Sequence, residues 1–155
     1  MKLERIESTQ NPTLKAAAKL RASRGRRKSG QIIIDGEREI RRAVASGIEL
    51  STLFLPERLA DWDVAVDVEK AFLVGKRAFE KIAFGDRAEP VAIDDRPDTN
   101  LEQLPVPKDG GLYVVLDAVE KPGNVGAIVR TADGAGATAI ILVDALADAF
   151  NPNSI

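Results

Sequence analysis

The fold is decided by residues 112–143, which read LYVVLDAVEKPGNVGAIVRTADGAGATAIILV. The two apolar runs at its ends, 112–116 and 138–143, have the composition of strands buried on both faces of a parallel sheet. Between them, apolar residues at 125, 128, 129 and 132 recur with the period of one helical stripe. Gly134 and Gly136 are expected to end that helix. The stretch therefore predicts a β-α-β unit.

The polar residues at the joint between the first strand and the helix are the first candidates for function. Asn124 is predicted to be the N-cap of the helix, and Gly123 and Gly126 allow a ligand or another backbone to approach closely. Arg130, near the second turn, offers a permanent charge and planar donors that suit a phosphate. Ligands of open α/β sheets bind beyond the carboxyl ends of the strands. Taken alone, the spacing also fits an ordinary capped turn followed by a solvated arginine.

Composition limits the chemistry that is available to the chain. The 155 residues can form one ordinary domain or two small ones, and they include neither Cys nor His. Disulfides, thiolate metal sites and a histidine base are therefore excluded, and the sequence gives no evidence for a metal. No apolar run approaches the roughly 20 residues that span a bilayer, and the first residues lack the pattern of a signal peptide. We expect a cytoplasmic protein without a membrane partner.

Charge is distributed unevenly along the chain. Residues 1–42 contain 12 Lys and Arg against 5 Asp and Glu, whereas the remaining residues contain 10 against 19. A helix over 12–24, capped by Asn11, is predicted to be followed by a flexible basic run. The cations of this region are candidate phosphate contacts for a polyanion such as RNA, and the alternative is a solvated basic face. They are Lys15, Arg21, Arg24, Arg26, Arg27 and Lys28.

The remaining patterns predict a small α/β domain followed by a linker. Strands are predicted over 31–34, 50–55, part of 57–68 and, near an edge, 90–93. Helices are predicted over 37–46 and part of 69–84, with a break at Gly75. Three prolines and two terminal glycines indicate an interdomain linker over 95–111.

The pattern D-x-x-x-x-P-G-N-V-G-A-I-x-R-T-A-x-x-x-G, from Asp117 to Gly136, closely resembles the first conserved motif of the SpoU-type (TrmH-like) RNA ribose 2′-O-methyltransferases of the SPOUT class. The resemblance implies a catalytic part for Arg130 and support of the active-site loop by Asn124. It also implies S-adenosylmethionine as cofactor, tRNA or rRNA as partner, and a homodimer. N-P-x-x-K from Asn11, I-I-I-D-G-E-R-E-I and F-E-K-I-A resemble the L30e-like substrate-binding domain that precedes the catalytic domain in many members.

The resemblance reaches only the first part of the catalytic domain. In the family, a segment similar to F-N-P-N-S-I at 150–155 leads into later motifs that form the knot, bind the cofactor and build the dimer interface; these motifs are not found here. The expected fold is therefore α/β: an L30e-like domain over 1–94, the linker over 95–111, and over 112–155 a truncated SPOUT domain that lacks its C-terminal knot. Residues that bind the cofactor are expected beyond Ile155.

Three functions follow from this organisation. The first is transfer of a methyl group from S-adenosylmethionine to a ribose 2′-hydroxyl of tRNA or rRNA, as in the family. The alternatives are a non-catalytic RNA-binding module and a non-functional truncation product. Because domains below roughly 40 to 50 residues rarely hold a core unaided, the second half is expected to be supported by another copy or by the first domain, or to be partly disordered.

Overall fold

The computed structural model describes residues 3–62, 68–85 and 88–155. The chain divides into two compact units, Met1–Arg96 and Pro97–Ile155. No helix within the described residues is long and apolar enough to cross a membrane.

The first unit is built on a five-stranded mixed sheet in the order β1-β4-β3-β5-β2. Its strands are β1 (Leu3–Ile6), β2 (Gln31–Asp35), β3 (Leu50–Pro56), β4 (Val68–Val74) and β5 (Val91–Asp95). β4 is parallel to both β1 and β3, while β5 is antiparallel to β3 and β2. Strands with apolar residues on consecutive positions, such as Ile32 to Ile34, are covered on both faces because helices pack on each side of the sheet.

One face of the sheet carries the larger core. Phe54 and Phe72 stack there with ring centroids 5.5 Å apart, and Ile33 is fully buried beside them in the same cluster. Helix α1 (Pro12–Lys19) contributes Leu14, and helix α4 (Lys76–Phe79) contributes Phe79 to this cluster. Helix α3 (Glu37–Ala45) packs against β2 and buries Ile40 completely.

The basic segment forms two helices in place of one helix and a flexible run. Asn11 caps α1 as predicted, since its Oδ1 accepts from the amides of Thr13 at 2.9 Å and Leu14 at 3.2 Å. However, α1 ends at Lys19, and a second helix, α2 (Ser23–Ser29), follows it and ends at a left-handed Gly30. The predicted continuous helix over 12–24 is therefore wrong, and so is the predicted flexibility of 24–30.

The middle of the first unit also differs from the secondary structure predicted from the sequence. Of the segment 57–68, part of which was predicted to be a strand, residues 57–59 form a 3-10 turn, residues 63–67 lie outside the described part of the chain, and Val68 begins β4. The first residues of the predicted 69–84 helix form strand β4 instead. β4 is a central strand, and the structure of such strands depends more on burial between neighbouring strands than on the intrinsic propensities of their residues. β5 lies between β3 and the edge strand β2, so it is near an edge but not at it, whereas the other edge strand, β1, was not predicted. The strands and helix predicted at 31–34, 37–46 and 50–55 are confirmed.

The second unit contains the predicted β-α-β arrangement. β6 (Tyr113–Asp117) and β7 (Ala139–Val143) are parallel, and helix α5 (Pro122–Gly134) connects them. α5 covers one sheet face, where Leu116 and Val125 are buried. The opposite face is open: Val115 is 58% exposed and Val143 is 41% exposed. The expectation of strands buried on both faces is therefore wrong for this unit.

The segment before β6 belongs structurally to the second unit. It begins at Pro97 and contains a short 3-10 turn at Leu101–Gln103. The Tyr113 hydroxyl donates to the Pro105 carbonyl oxygen at 2.6 Å, which fastens part of this segment to the start of β6.

We predict that Gly25→Ala destabilises the first unit by about 1 to 3 kcal/mol, as overpacking does. A Cβ at Gly25 would overlap the carbonyl group of Lys19, and backbone cannot move aside. Urea unfolding followed by the fluorescence of Trp62, the single tryptophan, measures the change. Gly75→Ala is the matched control, because the new Cβ would meet only the carboxylate of Glu7, an exposed side chain that can rotate away. Equal losses in the two variants would contradict the packing argument.

Candidate functional site

The joint between β6 and α5 differs from the predicted geometry. α5 begins at Pro122, and the residue at the N-cap position is Lys121, which makes no side-chain capping bond. Asn124 is therefore the third residue of the helix, and its predicted capping function is wrong. Proline suits the first helical position because an N–H group there has no helical acceptor, so its absence costs nothing. The helix therefore starts at Pro122, two residues before the predicted cap at Asn124.

Both motif residues, Asn124 and Arg130, are exposed on α5. They are six residues apart, which in an α-helix corresponds to about 9 Å along the axis and about 120° around it. The helix thus places them on two flanks of its exposed side. Within the described part of the chain, neither side chain has a hydrogen-bond or ion-pair partner, so both are available to a ligand.

The first turn of α5 is also in contact with residues near position 154. Ser154 is 7% exposed, and its hydroxyl donates to the Pro122 carbonyl oxygen at 3.0 Å. Gly126 packs directly on the Ser154 backbone. Ser154 was not among the site residues predicted from the sequence. The only signal of this contact in the sequence was Gly126, because a glycine inside a helical pattern that no turn requires indicates close packing.

The six basic residues proposed from the sequence fall into two groups. Four of them are exposed on α1 and α2: Lys15, Arg24, Arg27 and Lys28. Arg21 and Arg26 instead make internal contacts. Arg21 forms a paired contact with Asp35, one branch of which is 2.6 Å long, and it also donates to the Ile82 carbonyl oxygen. Its guanidinium lies 5.7 Å from the centroid of the Phe84 ring.

Arg26 is buried, with only 2% of its surface exposed. Its Nη1 donates to the carbonyl oxygens of Leu20 at 2.6 Å and Arg21 at 3.1 Å. These carbonyls follow the end of α1, where helix geometry leaves C=O groups without amide partners and favours a positive charge. Arg26 thus caps the C-terminal end of α1 and is not accessible to a polyanion.

A second basic surface lies on α3, where Arg38, Arg41 and Arg42 are exposed. Arg41 pairs with Glu37 at 2.8 Å, and its guanidinium lies 5.8 Å from the centroid of the Trp62 ring. The hydrogen bond from Arg41 lowers the pKa of Glu37 below its usual value. Arg38 pairs with Glu39. Two of the three cations are therefore partly neutralised by neighbouring carboxylates.

The first unit has a cavity of about 650 Å³, which is lined by residues that include Pro56, Arg58, Lys76 and Phe79. Neither of the two motif residues, Asn124 and Arg130, lines it. Within the described residues, no group of three or more His, Cys, Asp and Glu side chains is placed to hold a metal ion.

Two family profiles match the chain. The MRM3-like substrate binding domain matches residues 11–92, and the SpoU rRNA Methylase family matches residues 111–155. A curated relative, the 23S rRNA (guanosine(2553)-2′-O)-methyltransferase RlmP of Bacillus subtilis, is 30% identical over 155 residues; the match covers 99% of this chain and 60% of that protein.

Solved structures of methyltransferases also resemble this chain. The rRNA methyltransferase from Sinorhizobium meliloti superposes with a TM-score of 0.82 at 29% identity, covering 99% of this chain and 60% of that one. The SpoU methyltransferase AviRb from Streptomyces viridochromogenes, in complex with the cofactor AdoMet, superposes with a TM-score of 0.80 at 25% identity, covering 94% and 57%.

Fold and motif together define a two-part α/β protein whose second unit carries a SpoU-type motif on its helix. The chain belongs to the family that carries the MRM3-like substrate-binding domain, and its second unit matches the SpoU rRNA Methylase family. The mixed α/β fold that the sequence predicted is confirmed by these structural matches. The chain spans about 60% of the length of the Bacillus subtilis relative.

We predict that Arg26→Met destabilises the first unit by about 1 to 3 kcal/mol, because it leaves buried carbonyls of the α1 end unsatisfied. Trp62 fluorescence during urea unfolding measures the loss. Arg27→Met is the control, since Arg27 is adjacent but exposed, and its change should stay within about 0.5 kcal/mol. If both substitutions cost the same, Arg26 does not act as a helix cap.

Proposed function

We propose that the protein containing this chain transfers a methyl group from S-adenosylmethionine to a ribose 2′-hydroxyl of ribosomal RNA. The observation that carries the proposal is the placement of the motif. It occupies α5, directly beyond the carboxyl end of β6, and leaves Asn124 and Arg130 exposed there. This is the edge at which α/β sheets bind ligands. Ribosomal RNA is supported over transfer RNA as the substrate because relatives such as RlmP of Bacillus subtilis are 23S rRNA 2′-O-methyltransferases.

The proposed part of Arg130 follows from the chemistry of a hydroxyl nucleophile. A ribose hydroxyl must be held in line with its methyl donor and must lose a proton as it reacts. A guanidinium stays protonated, so Arg130 does not act as the base. It orients the adjacent RNA phosphate, which accepts the hydroxyl proton, and stabilises the negative charge that develops on the ribose oxygen as the methyl group leaves the cofactor sulfur. Asn124 supports the loop at the start of α5.

The described residues of the second unit do not fit the cofactor as a complete site. A pocket for a molecule of this size buries most of the ligand surface. The described residues of this unit form two strands with a helix on one face, while Val115 and Val143 are exposed on the opposite face, so they cannot enclose such a ligand. When bound, the cofactor supplies the methyl group. We propose that the whole protein is comparable in length to its relatives and that its other residues complete the pocket. The residues described here supply the RNA side of the reaction.

We propose that RNA is held by the exposed cations of α1 and α2. Lys15, Arg24, Arg27 and Lys28 project from two consecutive helices of the substrate-binding unit. Arg21 and Arg26 do not belong to this surface, because their guanidinium groups are engaged by Asp35, by backbone carbonyls and by burial. They position the two helices that carry the four exposed cations.

A second candidate function is RNA holding without catalysis. The observation that favours it is that the basic surface belongs to the first unit, which has its own buried core and its own sheet, whereas the motif belongs to the second unit. We also propose that the whole protein forms a homodimer through its catalytic part and that it acts in the cytoplasm, where a bacterial ribosomal RNA substrate would be found.

RNA binding by the proposed surface is tested with Arg27→Gln and Lys28→Gln combined in one variant. We expect weaker binding to a ribosomal RNA fragment and a smaller salt dependence, with the log–log slope reduced by about 1 for each lost phosphate contact. Fluorescence anisotropy across a salt series measures both quantities. Arg42→Gln is the control, because it removes an exposed cation from α3 of the same unit. An equal loss in the control would mean that overall charge, and not this surface, holds the RNA.

Catalysis is tested with Arg130→Ala and isotope-labelled S-adenosylmethionine. We expect methyl transfer to RNA to fall by about 10²- to 10³-fold, the size expected for losing a group that stabilises developing charge, while cofactor affinity is unchanged. Lys108→Ala, an exposed cation of the same unit, should leave the rate unaltered. Undiminished transfer by the Arg130 variant would refute its part in the reaction. RNA binding without any methyl transfer by the unaltered protein would establish the second candidate function.

A further inference from the structure

Ser154 makes a contact that the helix does not need for its own stability. The residue is 7% exposed, its hydroxyl donates to the Pro122 carbonyl oxygen at 3.0 Å, and the Asp148 carbonyl oxygen is farther away at 3.4 Å. Pro122 is the first residue of α5, so its carbonyl already has an amide of the next helical turn as a partner. A carbonyl oxygen has two lone pairs. The hydroxyl of Ser154 uses the second one and thereby attaches its own segment to the helix.

Gly126 is the other half of this contact. A Cβ at Gly126 would lie 2.9 Å from the Cα of Ser154 and would overlap its carbonyl oxygen, so the Ser154 backbone rests directly on the helix at this position. Pro122 and Gly126 are four residues apart and therefore share one face of α5. Ser154 bridges the first turn along that face.

The bridged turn contains Asn124, which lies halfway between Pro122 and Gly126. Its side chain has no partner within the described residues, so its orientation depends on the backbone that carries it. Arg130 lies four residues beyond Gly126, on the same face of the helix and one turn further along. Arg130 is therefore one turn beyond the Gly126 contact, whereas Asn124 projects from the other side of the helix and is carried by the backbone between the two contacts.

We infer that Ser154 is a positioning residue: its buried hydroxyl and its backbone clamp the first turn of α5 and fix the orientation of Asn124 at the start of the helix. The clamp is defined by three residues, Ser154, Pro122 and Gly126. The inference rests on the proposed function of the motif. It adds a residue outside that motif on which the orientation of Asn124 depends.

Two independent substitutions test the clamp from its two sides. Ser154→Ala removes the hydroxyl without adding bulk, and Gly126→Ala keeps the hydroxyl but forces the Ser154 backbone away. Amide hydrogen exchange in the full chain is the first readout. We expect the amides of Asn124 and Val125, which both bond to the Lys121 carbonyl oxygen, to exchange about tenfold faster in both variants. The amides of β6 should keep their rates.

Controls separate positioning from general destabilisation. Gly134→Ala adds a methyl group to the same helix where nothing lies within 4 Å, and it should leave the exchange of Asn124 unchanged. Ser154→Thr keeps a hydroxyl and should restore the original rate. If all amides of the second unit accelerate together, or if Asn124 exchanges at its original rate in both variants, the inference is overturned.

Methyl transfer by the unaltered protein and the same variants is the second readout. A positioning function predicts that kcat falls about tenfold in Ser154→Ala while the KM for the cofactor and the affinity for RNA are retained, and that Ser154→Thr recovers kcat. An unchanged kcat would overturn the inference. If the unaltered protein transfers no methyl group, the proposed function fails, and the exchange measurement alone decides whether Ser154 holds Asn124 in place.

Discussion

The burial of Arg26 is the constraint on which the arrangement of the first unit depends. Its guanidinium binds the carbonyls of Leu20 and Arg21, which have no amide partners once α1 has ended. Without this cap, the chain would have to leave these polar groups unpaired in an apolar setting, which is costly. Because Arg26 is itself on α2, the cap fixes the second helix against the first. Arg21 then ties the same corner to Asp35, the last residue of β2.

This corner decides which cations face solvent. A guanidinium can be buried when several acceptors surround it, and its side chain is long enough to reach backbone carbonyls several residues away. Arg21 and Arg26 use their charge in this way, whereas Arg24 and Arg27, which alternate with them along the chain, remain exposed. In the sequence, the six candidate basic residues of this region are equivalent. Only the packing separates those that hold the helices from those that remain exposed to solvent.

Much of the fold was predictable from the sequence, and the failures have physical causes. β2, α3 and β3 were predicted because their apolar residues recur with a clear period and end at Gly or Pro; the β-α-β arrangement of the second unit was predicted for the same reason. β4 was missed because Glu69, Lys70 and Ala71 have no strand pattern, and pairing with β1 and β3 determines their structure. At the candidate site, Asn124 and Arg130 were identified through the motif, but the position of Asn124 was wrong because Pro122 starts the helix first.

Ser154 could not have been found from local patterns, since its partner lies 32 positions away. The sequence does contain the other half of the contact. A glycine inside a helix destabilises the helix by about 1 kcal/mol relative to alanine. A helical glycine whose backbone angles are ordinary therefore indicates a position where a side chain would not fit. In α5, Gly126 meets this description because a backbone lies against it, while Gly134 has open space around it. The same helix therefore contains one glycine that packing requires and two, Gly123 and Gly134, that it does not, and only Gly126 indicates a contact between distant parts of the chain.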